Sequence, residues 1–296
     1  MKDSFSGFHP IVNFVWFALV LVCSMSFLHP VCLAVSLAGA LIYCARLNSW
    51  RTLLRHGRWM LPLLVLTAAI NPLFNHRGIT ILTYLPSGNP LTLESVRFGV
   101  SAALLLIAVL CWLSCLGAVM TSDKFIWLFG RIIPALSLLL SMALRFVPEF
   151  TRRLRAVHDA RRTLAAGDDR RAFRRVREAL AAFSILVTWS LESAIETADS
   201  MRARGYGLRG RSAFSIYRFA RRDAFALAWI AFCGVLIVVG WAAGLFDWRY
   251  FPSTSFYRFA SPLSALFPLT YLALCLTPVC IDLLEDRKWN SLRSKI

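Results

Sequence analysis

Acidic side chains are scarce in this chain: 16 Asp and Glu stand against 33 Lys and Arg in 296 residues, leaving a formal net charge of +17. Charged residues of either sign make up only 17%, whereas 58% are hydrophobic and the mean hydropathy is +0.60. A soluble domain holds about 45–50% apolar residues, so this composition excludes one and points to an integral membrane protein. Motifs that would bring chemistry are also missing. There is no GxxxxGK[ST] phosphate loop, HExxH, GxSxG or dinucleotide-binding glycine fingerprint, so no nucleotide site or hydrolytic centre is readable and the chain is expected not to be an enzyme. The 8 Cys form no CxxC pair, lie in apolar stretches and have no His cluster beside them. They read as small buried hydrophobes, and no metal or cofactor is expected.

What the chain does have is long apolar runs. Residues 11–27, 31–45, 60–74, 98–120, 224–245 and 263–284 read as six membrane spans, the second short against the roughly 20 residues a crossing needs. A cleaved signal peptide at the start is disfavoured, because Lys2 alone makes a poor positive region and no small-residue cleavage site follows. The β-branched stretch 79–84, followed by Pro86, Ser87, Gly88, Asn89 and Pro90, predicts a small hairpin. The organisation expected is therefore all-α and polytopic. Residues 1–120 hold about four spans, 121–222 form a cytoplasmic or interfacial region, and 223–296 hold two spans and a tail.

The positive charge is concentrated. Residues 46–58 carry 4 Arg and no acid, 145–178 carry 11 Arg against 5 acids, and 200–222 carry 7 Arg and no acid, which together account for the whole +17. Such blocks between apolar spans mark the cytoplasmic side rather than a nucleic-acid surface, and both termini are expected there too.

Between Arg145 and Gly210 charge and hydrophobicity share the same helices. Val147, Phe150, Leu154, Val157 and Leu164 keep steps of 3 and 4, and the one missing step falls on Arg161. Val176, Leu180, Phe183, Val187, Ser190, Ala194, Thr197, Met201 and Arg204 continue the pattern, with small residues at mid-seam that would let two helices cross closely. Val187, Ser190, Ala194, Thr197 and Met201 are the expected crossing positions. The apolar run 135–144 is too short to cross a bilayer and is expected to lie at the interface, Pro148 to kink or restart the helix, and Gly167 to close it. Two similar stretches, Ala160-Arg161-Arg162 and Ala203-Arg204-Gly205, stand 43 residues apart. Matched arginine-bearing helix ends suggest docking onto two matched acceptors, such as a dimeric cytoplasmic partner, because guanidinium pairs bidentately with carboxylate. Most of the other arginines read as a solvated or headgroup-facing surface. A secondary carrier would place polar groups at the bilayer midplane. Only Asn71 and Asp282 come near that description, and Asn71 before Pro72 reads as a helix end.

Thr197-Ala-Asp-Ser-Met-Arg-Ala-Arg-Gly-Tyr-Gly207 resembles the second signature of the transmembrane T component (EcfT/CbiQ-like) of energy-coupling factor ABC transporters. Asn71 to Gly78, Gly88 to Glu94, Val119 to Lys124 and Arg131 to Pro148 are similar to further conserved stretches of that family, so the likeness extends over roughly 10–284. The resemblance implies a scaffold in a bacterial or archaeal cell membrane. It would join two cytoplasmic ABC-type ATPases to a small substrate-binding S component for uptake of a vitamin or transition metal ion, with no nucleic acid involved. Two coupling helices would cross, each docking a small-Arg-small motif on one ATPase. The motifs map to Ala160, Arg161, Arg162 and to Ala203, Arg204, Gly205, with Arg162 replacing the usual small residue. A self-sufficient secondary carrier whose basic region binds anionic lipid, and a different ABC permease subunit with its own substrate path, are the rival readings.

Overall fold

The computed structural model describes residues 3–47, 50–84, 89–130, 133–164, 172–206, 208, 217–244, 248–251 and 262–293, with the backbone alone described at 50–56, 134–135, 161–164, 172–175, 178 and 262–265. The described chain is almost all helix: α1 (Pro10–Ser26), α2 (Pro30–Leu47), α3 (Trp50–Phe74), α4 (Leu93–Val119), α5 (Ser122–Gly130), α6 (Pro134–Leu164), α7 (Ala172–Ala203), α8 (Arg221–Ala242) and α9 (Pro262–Arg293). The exception is the expected hairpin, whose strands β1 (Ile81–Tyr84) and β2 (Pro90–Thr92) pair antiparallel. Its turn at 85–88 lies outside the described residues.

Two compact units result. The larger joins residues 1–125 to 217–296, and the smaller is 126–216. In the larger unit, α2 packs on α4 and α9, α3 on α4, α1 on α4 and α8, and α8 on α9. Its core is built on Trp16, whose ring meets Phe5, Phe17, Tyr43 and Trp112 edge-on at 4.7–6.1 Å, an arrangement that the ring quadrupoles favour. Both buried indoles find acceptors, since Trp16 Nε1 donates to Leu274 O (3.0 Å) and Trp112 Nε1 to Ser36 Oγ (3.1 Å). At Gly39 the helices come so close that a Cβ would lie 2.9 Å from Cys275 Cβ. The eight cysteines form no disulfide; seven are buried and Cys280 is exposed.

Polar contacts define the two ends of this bundle. At one end Arg46, in the last turn of α2, pairs with Asp286 of α9 (2.9 Å), while Arg222 of α8 donates to Gly7 O (2.8 Å). Asp282 of α9 accepts from Ser4 N (2.9 Å) and Phe5 N (3.4 Å). Lys124 Nζ donates to Ser6 O (2.7 Å) and Val119 O (2.9 Å). Burial lowers the Lys124 pKa and Asp3 opposes that shift. The opposite end is tied by Tyr250, whose hydroxyl bonds Leu28 O and Ser101 Oγ at 2.8 Å. Thus α1, α2, α3, α4, α8 and α9 alternate in direction between the same two ends, as the six expected spans require. At 17 residues, about 26 Å, α1 is just shorter than the hydrocarbon core of roughly 30 Å.

Among the described residues six helices are long and apolar enough to cross a bilayer, and they include α7 over Ala179–Ala203 in place of the shorter α1. That adds a candidate to the sequence reading, which weighed α7 by its arginines. These cluster at its two ends, with 2 acids and no base in 179–196.

Candidate functional site: the paired basic helices

The smaller unit is organised by α6 and α7, which pack against each other. Pro148 was expected to kink or restart the first of them. No restart occurs: α6 runs for 31 residues with Pro148 inside, so the short apolar run 135–144 and the arginine-bearing segment are one helix. A proline removes one N–H and crowds the carbonyl four residues back, and the rest of the ladder carries the helix through. The expected stop at Gly167 lies outside the described residues.

The contact that marks where the helices meet is Arg153 of α6, whose guanidinium carbon sits 3.6 Å from the centre of the Trp189 ring of α7. Glu149, one turn earlier, aims it by accepting from Arg153 Nε at 2.8 Å. Neither Arg153 nor Trp189 stood out in the sequence. The available signal was Glu149 four residues before Arg153, a favourable spacing for an ion pair on one helix.

Around this contact the half-buried positions are Met142, Phe146, Glu149, Phe150, Arg153 and Val157 on α6, and Leu186, Ser190, Ser193, Thr197 and Met201 on α7, where Ala182 is buried. Of the expected crossing positions, Ser190, Thr197 and Met201 are half-buried whereas Val187 and Ala194 are exposed, and Leu186 and Ser193 are half-buried beside them. The packed line thus runs one residue earlier over part of α7. Its polar members do not need the other helix: Ser190 Oγ donates to Leu186 O and Thr197 Oγ1 to Ser193 O, both at 2.6 Å. Large apolar side chains face outward instead, among them Phe183, Leu191 and Ile195 at 63–66% exposure.

Both arginine motifs lie at helix C-termini. The backbone of Ala160, Arg161 and Arg162 occupies the last turns of α6, with the Arg161 and Arg162 side chains outside the described residues and Ala160 exposed. Ala203-Arg204-Gly205 terminates α7 in a Schellman motif. Gly205 N donates to Arg202 O and Tyr206 N to Met201 O, both at 3.0 Å, with Gly205 at φ +74. Glycine is required there because an L side chain strains in the left-handed region. Arg204 is therefore the C-cap, exposed and set where the helix dipole favours a cation. Arg161 stands 8 residues beyond Arg153, and Arg204 15 residues beyond Trp189, or about 12 and 22 Å along their helices. The dipole contributes only about 0.3–1 kcal/mol.

The midplane candidates of the carrier reading are structural. Asp282 spends its carboxylate on the turn at Ser4 and Phe5, and Asn71 sits in the last turn of α3, its carbonyl accepting from Asn75 N at 2.8 Å. Two of the resembling stretches, 71–78 and 88–94, meet in one hydrogen-bonded knot at the hairpin. Thr80 Oγ1 donates to Glu94 Oε1 (2.8 Å), Thr92 Oγ1 donates to Arg77 O (3.2 Å), and Ser95 Oγ donates to Asn75 O. Those residues hold α3 to α4, and among the described residues no metal-ligating group of His, Cys, Asp and Glu forms.

The long apolar helices among the described residues, together with an exposed pair of basic helices, define a multi-pass membrane protein. The family model described as CbiQ, cobalt transport protein, matches residues 5–216, and the chain belongs to that family. The match takes in α1 to α7 and ends before α8 and α9. No curated protein matches the chain.

Proposed function

We propose that the chain is the non-catalytic T component of an energy-coupling factor importer. It would hold a small substrate-binding membrane protein and two cytoplasmic ABC-type ATPases, and serve uptake of a transition metal ion or vitamin. The observation that carries this reading is the family match whose last helix, α7, ends on exposed Arg204 in a rigid cap. In it, Arg161 and Arg204 each enter an acidic or carbonyl-lined groove of a separate ATPase subunit. ATP-driven closure of the ATPases pulls the two helix ends, the contact at Arg153 and Trp189 passes the movement between helices, and the substrate-binding protein is reoriented. The basic end of the bundle, with the chain termini and residues 46–58, faces the cytoplasm, as positive flanks of membrane spans do.

The test is copurification of the ATPases in mild detergent together with ATP-dependent uptake in vesicles. Truncating one partner of a buried charge pair at an interface costs about 2–5 kcal/mol, so Arg204→Glu is expected to lose both. Arg161→Glu should lose less, because Arg162 adjoins it. Charge reversal at exposed Arg177 is the matched control. Retention of both properties in Arg161→Glu/Arg204→Glu, with loss in the control, would place docking on the diffuse basic surface. Uptake by the chain alone would favour a self-sufficient carrier.

A further inference from the structure

We propose that a groove on the outer face of the α8–α9 pair holds one acyl chain of an anionic phospholipid from the leaflet at the basic end of the bundle, with its phosphate at Arg222. The groove has a volume of about 530 Å³ and is walled by Phe8, Ala226, Trp229, Leu272, Ala273 and Leu276, among others. Along α9 it extends from Leu269 to Leu284, 15 residues or about 22 Å.

Its dimensions favour a chain over a helix. A volume of 530 Å³ spread over that length leaves a cross-section on the order of 24 Å², the girth of one extended hydrocarbon chain. A helix of about 10 Å diameter and the same length fills roughly 1,700 Å³ and could only lie across the opening. The walls also ask for nothing polar. Thr277 Oγ1 accepts from Trp229 Nε1 (3.3 Å) and donates to Ala273 O (2.8 Å), so its hydroxyl is already engaged. An extended peptide would bring backbone groups that such walls leave unpaired, whereas an acyl chain brings none.

Charge is placed only at the mouth. Arg222 is the one charged residue among those lining the groove. Its guanidinium is fixed by donation from Nη2 to Gly7 O (2.8 Å) and by lying 5.1 Å from the Phe8 ring centre, yet its side chain is 56% exposed. Asp223, with Oδ1 3.8 Å from Arg222 Nε, is buried and occupied elsewhere, accepting from Ala220 N (2.8 Å) and His9 N (3.3 Å). Arg218 and Arg221 nearby are exposed. Arg222 at the apolar groove, with Arg218 and Arg221 within four residues of it in the chain, matches a phosphate at the headgroup level.

The full chain, reconstituted in phosphatidylcholine vesicles, is labelled with phosphatidylglycerol or phosphatidylcholine carrying a mid-chain diazirine at equal mole fraction. The crosslinks are then mapped by peptide. Phosphatidylglycerol is expected to label 269–284 several-fold above phosphatidylcholine. Arg222→Gln should lower that labelling roughly fivefold, the equivalent of the about 1 kcal/mol that one cation near an anionic surface contributes, while Arg222→Lys keeps it. Ala273→Trp fills the groove and should abolish labelling of 269–284 without changing that of α3, so the outcome does not hang on one variant. Equal labelling by the two lipids, or labelling of 269–284 unmoved by Ala273→Trp, overturns the proposal. So does crosslinking of this face to a copurifying membrane protein in place of lipid.

Discussion

Removing the Arg153–Trp189 contact from either side should loosen α7 by about the same amount. A cation over an aromatic ring contributes about 0.5–1 kcal/mol at exposed sites and about 2 when desolvated. The Arg153 side chain is 21% exposed and Trp189 42%, and the guanidinium lies 3.6 Å from the ring centre, so the coupling should fall near 1 kcal/mol. The Glu149 pair adds about 0.3–0.5 kcal/mol, the range for exposed pairs one helical turn apart. Amide hydrogen exchange of residues 186–201 in the detergent-solubilised full chain reads the local opening free energy directly. Arg153→Gln, Trp189→Leu and the double variant form a cycle, with Glu149→Gln as a smaller perturbation. Each single change is expected to speed exchange about fivefold, and the double change little more than either alone. Independent sites add within about 0.3–0.5 kcal/mol. If the two substitutions prove additive within that margin, the contact does not join the helices, and the route of movement proposed through it fails with it.

Two further outcomes follow from the geometry. Gly205→Ala places an L side chain at φ +74 and should destabilise the end of α7 by about 1–2 kcal/mol, with Gly205→Asn milder, seen as faster exchange at Arg204 to Tyr206 and unchanged exchange in α4. Gly39→Ala sets a methyl 2.9 Å from Cys275 Cβ and should cost about 1–3 kcal/mol by overpacking, read as a lower midpoint in denaturing detergent; Cys275→Gly should restore it, whereas Cys275→Ala, which keeps the Cβ, should not.

Much of this fold can be read from the chain, for identifiable reasons. Hydrocarbon demands long apolar runs, so the runs around α1, α2, α3, α4, α8 and α9 show directly, and the β-branched stretch beside Pro and Gly announces the hairpin. The arginine blocks name the basic end, and Gly205 after Arg204 names a helix stop, because only a left-handed residue closes that cap.

Which face each helix packs is a different matter. In water an apolar stripe points to the core, but beside lipid an apolar side chain is equally satisfied by acyl chains or by protein. Periodicity therefore gave Val187 and Ala194 where the structure half-buries Leu186 and Ser193, and it left Arg153 and Trp189 unmarked. Pro148 is a local signal whose single lost hydrogen bond the rest of α6 outweighs. The roles of Asp282 and Glu94 were equally hidden, since their partners, Ser4 and Phe5 for one and Thr80 for the other, are chosen by how distant segments meet. By itself the sequence determined that this is a basic, six-span helical membrane protein with two arginine-tipped helices, because solvent and backbone act locally on residue type. Only the tertiary structure decided which polar groups hold the bundle, where the two helices touch and which faces remain open, because those depend on contacts between residues far apart in the chain.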